Sequence, residues 1–168
     1  KLYAHDVLSL DGDWKYIVDP QCIGLYSSQL KRVSHRHSFF SDRSWYDDRT
    51  KRVEYSFDRA PEISVPGDWN TQKPELMYYE GCVWYRRQFD YKKESDTRAF
   101  LRFGAVNYSA EVSLNGKILG RHEGGFTPFE FEVTEQLKDG ENTLIVLVDN
   151  TRRREAVPTI TTDWRNYG

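Results

Sequence analysis

Four sets of residues have the types and spacing that chemistry would ask for. His35 and His37, two apart, would share one face of an extended segment as a pair of metal ligands does, but no third ligand is spaced to join them. A polar loop is the plainer reading. Asp47 and Asp48 are neighbouring carboxylates, yet an extended chain points them to opposite faces, and they lack the apolar surroundings that raise the pKa of a catalytic acid. Cys22 and Cys82 are the only cysteines and stand in neither a Cys-x-x-Cys nor a nucleophile context. They signal neither a disulfide framework nor a zinc site, and leave the redox compartment open. His122 adjoins the pair Gly124-Gly125, where a hydrogen bond fixing a corner is expected rather than catalysis. No Ser/His/Asp elbow and no phosphate-cradling glycine loop is present, and no cofactor or metal is implied. The residues best suited to chemistry thus form no reacting set by themselves, and the weight shifts to the elements around them.

The 168 residues suit one domain with one sizeable core. With 38% hydrophobic and 15% aromatic residues, that core is built from rings and β-branched side chains, which favours sheet over helix. Lys and Arg number 24 against 26 Asp and Glu, so the net charge of −2 supplies no field that would draw in nucleic acid or an anionic membrane. No window approaches the roughly eighteen apolar residues of a membrane span. The chain starts at Lys1 and its one methionine is Met77, so a removed leader or a longer parent protein is expected.

Strand patterns recur along the chain. Leu8 to Val18 carries an Asp11-Gly12 turn and then Trp14, Tyr16 and Val18 in alternation, a half-buried strand. Residues 19–60 show neither a period of 2 nor of 3.6 and read as a loop-rich insertion. Further strands are expected at Glu62 to Val65, Cys82 to Tyr91, Arg98 to Phe103, Ala110 to Leu114, Lys117 to Gly120 and Phe129 to Val133. Asn115-Gly116 is a strong hairpin signal, because a type I′ turn needs φ > 0 at both central positions. Thr134 to Lys138 can form one capped helical turn. Asn142 to Asp149 is apolar on both faces, as a central strand covered on each side must be. Between hairpin and strand, Phe126 and Phe129 are expected to seal one end of the layers. Short strands at such spacing, joined by Gly, Asn, Asp and Pro turns, describe an all-β sandwich.

Eight motifs in order sharpen this: Leu10-Asp-Gly-Asp-Trp14, Val65-Pro-Gly-Asp-Trp-Asn70, Gly81-Cys-Val-Trp-Tyr-Arg-Arg87, Leu114-Asn-Gly-Lys-Ile-Leu-Gly120, His122-Glu-Gly-Gly-Phe-Thr-Pro-Phe129, Gly140-Glu-Asn-Thr-Leu144, Val148-Asp-Asn150 and Thr162-Asp-Trp-Arg-Asn-Tyr-Gly168. Together they resemble the N-terminal sugar-binding domain of glycoside hydrolase family 2, the β-galactosidase and β-glucuronidase family. The resemblance implies a jelly-roll β-sandwich over residues 1–168 with residues 19–60 inserted. It also implies a longer enzyme acting on terminal β-linked sugars, with an immunoglobulin-like domain and a (β/α)₈ barrel as partners and a homo-oligomer as its assembly. The acid/base and nucleophile glutamates belong to the barrel, so this chain alone is expected to be inert. A free-standing carbohydrate-binding module is the alternative, distinguished by a polar linker after the domain. Export to the periplasm or beyond suits a removed leader, with the cytoplasm as the other choice.

The resemblance also implies where sugar would be touched. Asp163 matches an aspartate that contacts the terminal sugar, a task suited to a carboxylate because it accepts charge-assisted bonds from two adjacent hydroxyls. A turn aspartate capping Arg165 or Asn166 is its competing role. Trp164 offers a flat apolar face for a pyranose ring, with packing as the competing role, and Asn166 follows in the same run; Arg165 stands where the family usually has a second aromatic residue. The loop Pro74 to Gly81 is the other stretch implied to approach the cleft, with Tyr78, Tyr79 and Glu80 as candidates. Packing between domains is the competing role for the tyrosines, and a solvated side chain that for Glu80. Trp69, Trp84 and Tyr85 flank strands and are expected in the core.

Overall fold

The computed structural model describes residues 6–25, 57–155 and 168. Among the described residues eight strands make two antiparallel sheets: β1 (Gly12–Asp19), β2 (Glu62–Val65), β3 (Cys82–Tyr91), β4 (Phe100–Phe103), β5 (Ser109–Leu114), β6 (Lys117–Glu123), β7 (Phe129–Glu132) and β8 (Gly140–Asp149). The large sheet runs β2-β1-β3-β8-β5-β6 and the small one pairs β4 with β7. A single turn of helix, α1 (Trp69–Gln72), follows β2, and 3₁₀ turns lie at Ile23–Leu25, Phe57–Arg59 and Pro74–Leu76.

Alternation sorts the side chains into two cores. Trp14 and Tyr16 of β1, Val83 and Tyr85 of β3, Val112 and Leu114 of β5 and Leu144, Val146 and Val148 of β8 face inward, where α1 and the rings of the small sheet cover them. Ile17, Cys82, Trp84, Ile145 and Leu147 point the other way and pack with Phe57 and Ala60. The described ends of the 19–60 stretch therefore cover the second face of the large sheet. That is why β8, paired on both edges and apolar on both faces, is the spine of the molecule.

The expected hairpin forms at Asn115-Gly116, with φ of 53° and 81°, and joins β5 to β6. From β6 the chain crosses to β7, and here two expectations part. Phe129 is stacked between Phe103, at 4.8 Å, and His122, at 4.1 Å, and so closes the core. Phe126 does not: it is 77% exposed. Gly124 takes a φ of 128° and a Cβ on Gly125 would stand 2.6 Å from Asn107 Oδ1, so the corner is turned by backbone fit against a neighbouring loop, which lifts Phe126 off the layers. His122 does fix this corner, with Nε2 3.1 Å from Thr127 Oγ1. The helical turn expected after Val133 is one bonded turn, Leu137 N donating to Val133 O at 3.0 Å.

The cysteines correct the sequence reading. Cys22 and Cys82 form a disulfide with Cα atoms 5.5 Å apart. Pairing was not legible because Cys22 sits just past β1 and Cys82 at the start of β3, and only the antiparallel β1–β3 register, which sets Asp19 opposite Cys82, brings them together.

Candidate functional site

The loop that follows α1 is held from several sides. Asp68, in extended conformation, caps α1: its Oδ1 accepts from Thr71 N at 2.7 Å and its Oδ2 from Thr71 Oγ1 at 2.8 Å. Gln72 locks the helix to β2 by exchanging two hydrogen bonds with the Ser64 backbone, at 2.9 and 3.0 Å. Trp69 is fully buried, its ring 6.2 Å from that of Tyr79 and 6.4 Å from that of Tyr85. Asn70, also buried, donates its side-chain amide to Leu76 O at 2.9 Å, Tyr79 O at 3.0 Å and Met77 O at 3.4 Å.

On this frame Tyr79, a sequence candidate, points its ring into the core, and its hydroxyl donates to Cys82 O at 2.9 Å. Burial, reinforced by the charges of Asp19 and Asp149, pushes its pKa up to about 12. Glu80 meets Arg152 at 2.7 Å in a half-exposed ion pair, and Gly81 N donates to Asn150 Oδ1 at 2.8 Å. Tyr78 is 77% exposed. The loop therefore shows Tyr78 and Glu80 outward while Tyr79 anchors it.

Asp163, Trp164 and Asn166 lie outside the described residues, as do His35, His37, Asp47 and Asp48. The end of the Asp163 run is described, however. Gly168 N donates to Asn70 Oδ1 at 3.0 Å, and Gly168 O accepts from Trp69 N at 2.8 Å. A Cβ on Gly168 would stand 2.0 Å from the Trp69 ring, so only glycine fits. Gly168 and the Tyr79–Glu80 loop are thereby brought to one helical turn. Asn70 and Gly168 are the residues that sequence reasoning missed. The signal was there in Pro66-Gly-Asp-Trp-Asn70, where a capping aspartate places Asn70 on the first turn of a helix. Among the described residues no group of three or more His, Cys, Asp or Glu could hold a metal ion.

Comparison with known proteins agrees with this architecture. Residues 7–164 match the family described as glycosyl hydrolases family 2, sugar binding domain, and the chain belongs to that family. It is 30% identical to the β-glucuronidase of Rattus norvegicus over 149 residues, 79% of this chain and 23% of that protein. Against the β-galactosidase of Thermoanaerobacter pseudethanolicus it is 36% identical over 83 residues, 48% of this chain and 11% of the relative. The solved β-glucuronidase of an uncultured Clostridium species superposes with a TM-score of 0.70 at 32% identity, covering 99% of this chain and 28% of that one. The chain thus spans between a tenth and somewhat over a quarter of the length of these glycoside hydrolases.

Proposed function

We propose that this chain serves as the N-terminal sugar-binding part of an exo-β-glycosidase, a β-glucuronidase or β-galactosidase, which removes terminal β-linked sugars. The carrying observation is the meeting of Gly168 and the Tyr79–Glu80 loop at Asn70, since the family resemblance implies that both stretches approach sugar. The relatives named above support the choice of activities. In this reading Asp163 accepts hydrogen bonds from hydroxyls of the terminal sugar, Trp164 and Asn166 shape the same subsite, and Glu80 borders it with Tyr79 as its support. Hydrolysis needs two carboxyl groups flanking the scissile bond, which fall to the barrel of the full-length protein. The test is kcat/KM of the full-length protein on aryl β-glucuronides and β-galactosides. Asp163→Ala is expected to lower it by roughly 10- to 10²-fold, the worth of a charge-assisted contact. Equal values for variant and parent would remove Asp163 from the site.

The same reading puts maturation of the protein in the periplasm or outside the cell. The Cys22–Cys82 bridge supports it, because structural disulfides persist where the environment is oxidising. Alkylation of thiols at the moment of lysis of the native host, followed by mass spectrometry, should find both cysteines bridged. Recovering both as alkylated thiols would point to the cytoplasm.

A further inference from the structure

We infer that Asn70 is a positioning residue for sugar recognition: its buried amide holds turn 76–79 and Gly168 in one fixed relation, coupling the two stretches from which sugar contacts are proposed. The inference rests on the functional reading above and adds a residue to it.

The argument is one of donor and acceptor capacity. A carboxamide carries two N–H donors on one side and a carbonyl on the other. In Asn70 the nitrogen faces the carbonyls of Leu76, Met77 and Tyr79, and the oxygen faces the N–H of Gly168. Reversing the amide would set its oxygen against three carbonyls, so the orientation is fixed by its partners. An aspartate would bury a charge among the same carbonyls, and a leucine would leave the carbonyls and the Gly168 N–H without this partner. Trp69 doubles the connection, its N donating to Gly168 O at 2.8 Å and its Nε1 to Tyr79 O at 3.3 Å. Gly168 can come this close because it has no Cβ to meet the Trp69 ring. Moving Asn70 therefore moves turn 76–79 and Gly168 relative to each other, and a binding contact displaced by about 1 Å can cost on the order of 10²-fold in rate.

A matched control exists in the same chain. Asn142 is fully buried, donates to Lys138 O at 2.9 Å and Gly140 O at 2.8 Å, and accepts from Lys138 N at 2.9 Å and Asn115 Nδ2 at 2.8 Å. It sits near the Gly140 end of β8, away from Asp149 and Asn150. The experiment compares Asn70→Ala, Gly168→Ala and Asn142→Ala in the full-length protein, alone and combined with Asp163→Ala, by kcat and KM on an aryl β-glycoside and by Tm. Asn70→Ala and Gly168→Ala should each lower kcat/KM ten- to a hundredfold, while Asn142→Ala lowers Tm but leaves kcat/KM within about twofold. Combined with Asp163→Ala, Asn70→Ala should add less than about threefold, because coupled residues are not additive. If Asn70→Ala does not fold, Gly168→Ala carries the test from the opposite side of the contact. Losses that multiply in the double variant, or equal losses for Asn70→Ala and Asn142→Ala, overturn the positioning role. Unchanged Asn70→Ala and Gly168→Ala beside an impaired Asp163→Ala overturn it while sparing the functional reading. An unimpaired Asp163→Ala overturns the reading of Asp163 and this inference with it.

Discussion

A phenol held in the core beside two carboxylates resists ionisation, and Tyr79 is in that position with Asp19 and Asp149 near it. Its folded-state pKa of about 12 lies above the ordinary value of 10, so the folded chain keeps the proton when the unfolded chain has begun to lose it. The stability tied to that proton is fully present below pH 10 and is lost as pH rises from 10 towards 12. Tyr79→Phe removes the titrating group together with the bond to Cys82 O. Near pH 8 the variant should be less stable than the parent by about 1 kcal/mol, the net worth of one hydrogen bond. In urea unfolding the gap should narrow between pH 10 and 11, because only the parent has this group to ionise. A constant gap would show that Tyr79 ionises equally well folded and unfolded, and a widening one that folding makes it easier to ionise; either result would contradict the raised pKa. Tyr85 and Tyr16, also pushed up by burial, remain in both proteins and cancel in the comparison.

Elements differ in how plainly their residues announce them. β2 and β3 span the residues expected of them, and the Asn115-Gly116 turn is where its φ requirement put it, because period-2 alternation and left-handed turn residues are local signals. β8 could be placed at the centre for a similar reason: residues apolar on both faces need cover on both. α1 escaped notice because a helix of one turn has no periodicity to read, and much of what holds it, such as the Gln72 clamp on Ser64 and the bond from Trp69 N to Gly168 O, comes from distant residues. The misplacing of Phe126 has a different origin. Its ring was assigned by hydrophobicity, but the crossing from β6 to β7 is set by the backbone of Gly124 and Gly125 against Asn107 and Tyr108, and apolar character loses to that geometry. The motifs singled out the two stretches that meet at α1. The amide joining them was not legible: Asp68 marks the start of a helix, but a hydrogen bond between residues 98 apart leaves no trace in local sequence.

On the scale of the whole molecule, the large sheet has two faces to cover and the bridge lies on the less regular one. Its second face is closed by Phe57 and Ala60 over Trp84, Ile145 and Leu147, with Cys82 in that cluster and Cys22 packed against it. Asp19 prepares the place: its carboxylate accepts from Ile23 N at 3.0 Å, Gly24 N at 2.8 Å and Trp84 Nε1 at 3.0 Å, which bends the chain so that Cys22 returns to β3. The other end is tied by Tyr16 N to Pro61 O at 3.1 Å and by Arg86 to Asp58 at 2.9 Å. The disulfide closes a sequence separation of 60, and in the unfolded chain such a crosslink removes entropy worth about 4 kcal/mol. That is a large share of the 5–15 kcal/mol typical of a domain. Replacing both cysteines by serine should therefore lower the unfolding free energy by up to about 4 kcal/mol, read from urea titrations. Because chain entropy is not screened by ions, the loss should be the same at low and high salt. A loss under about 1 kcal/mol would mean that the contacts of Asp19 and the second core already restrain these ends without the bridge.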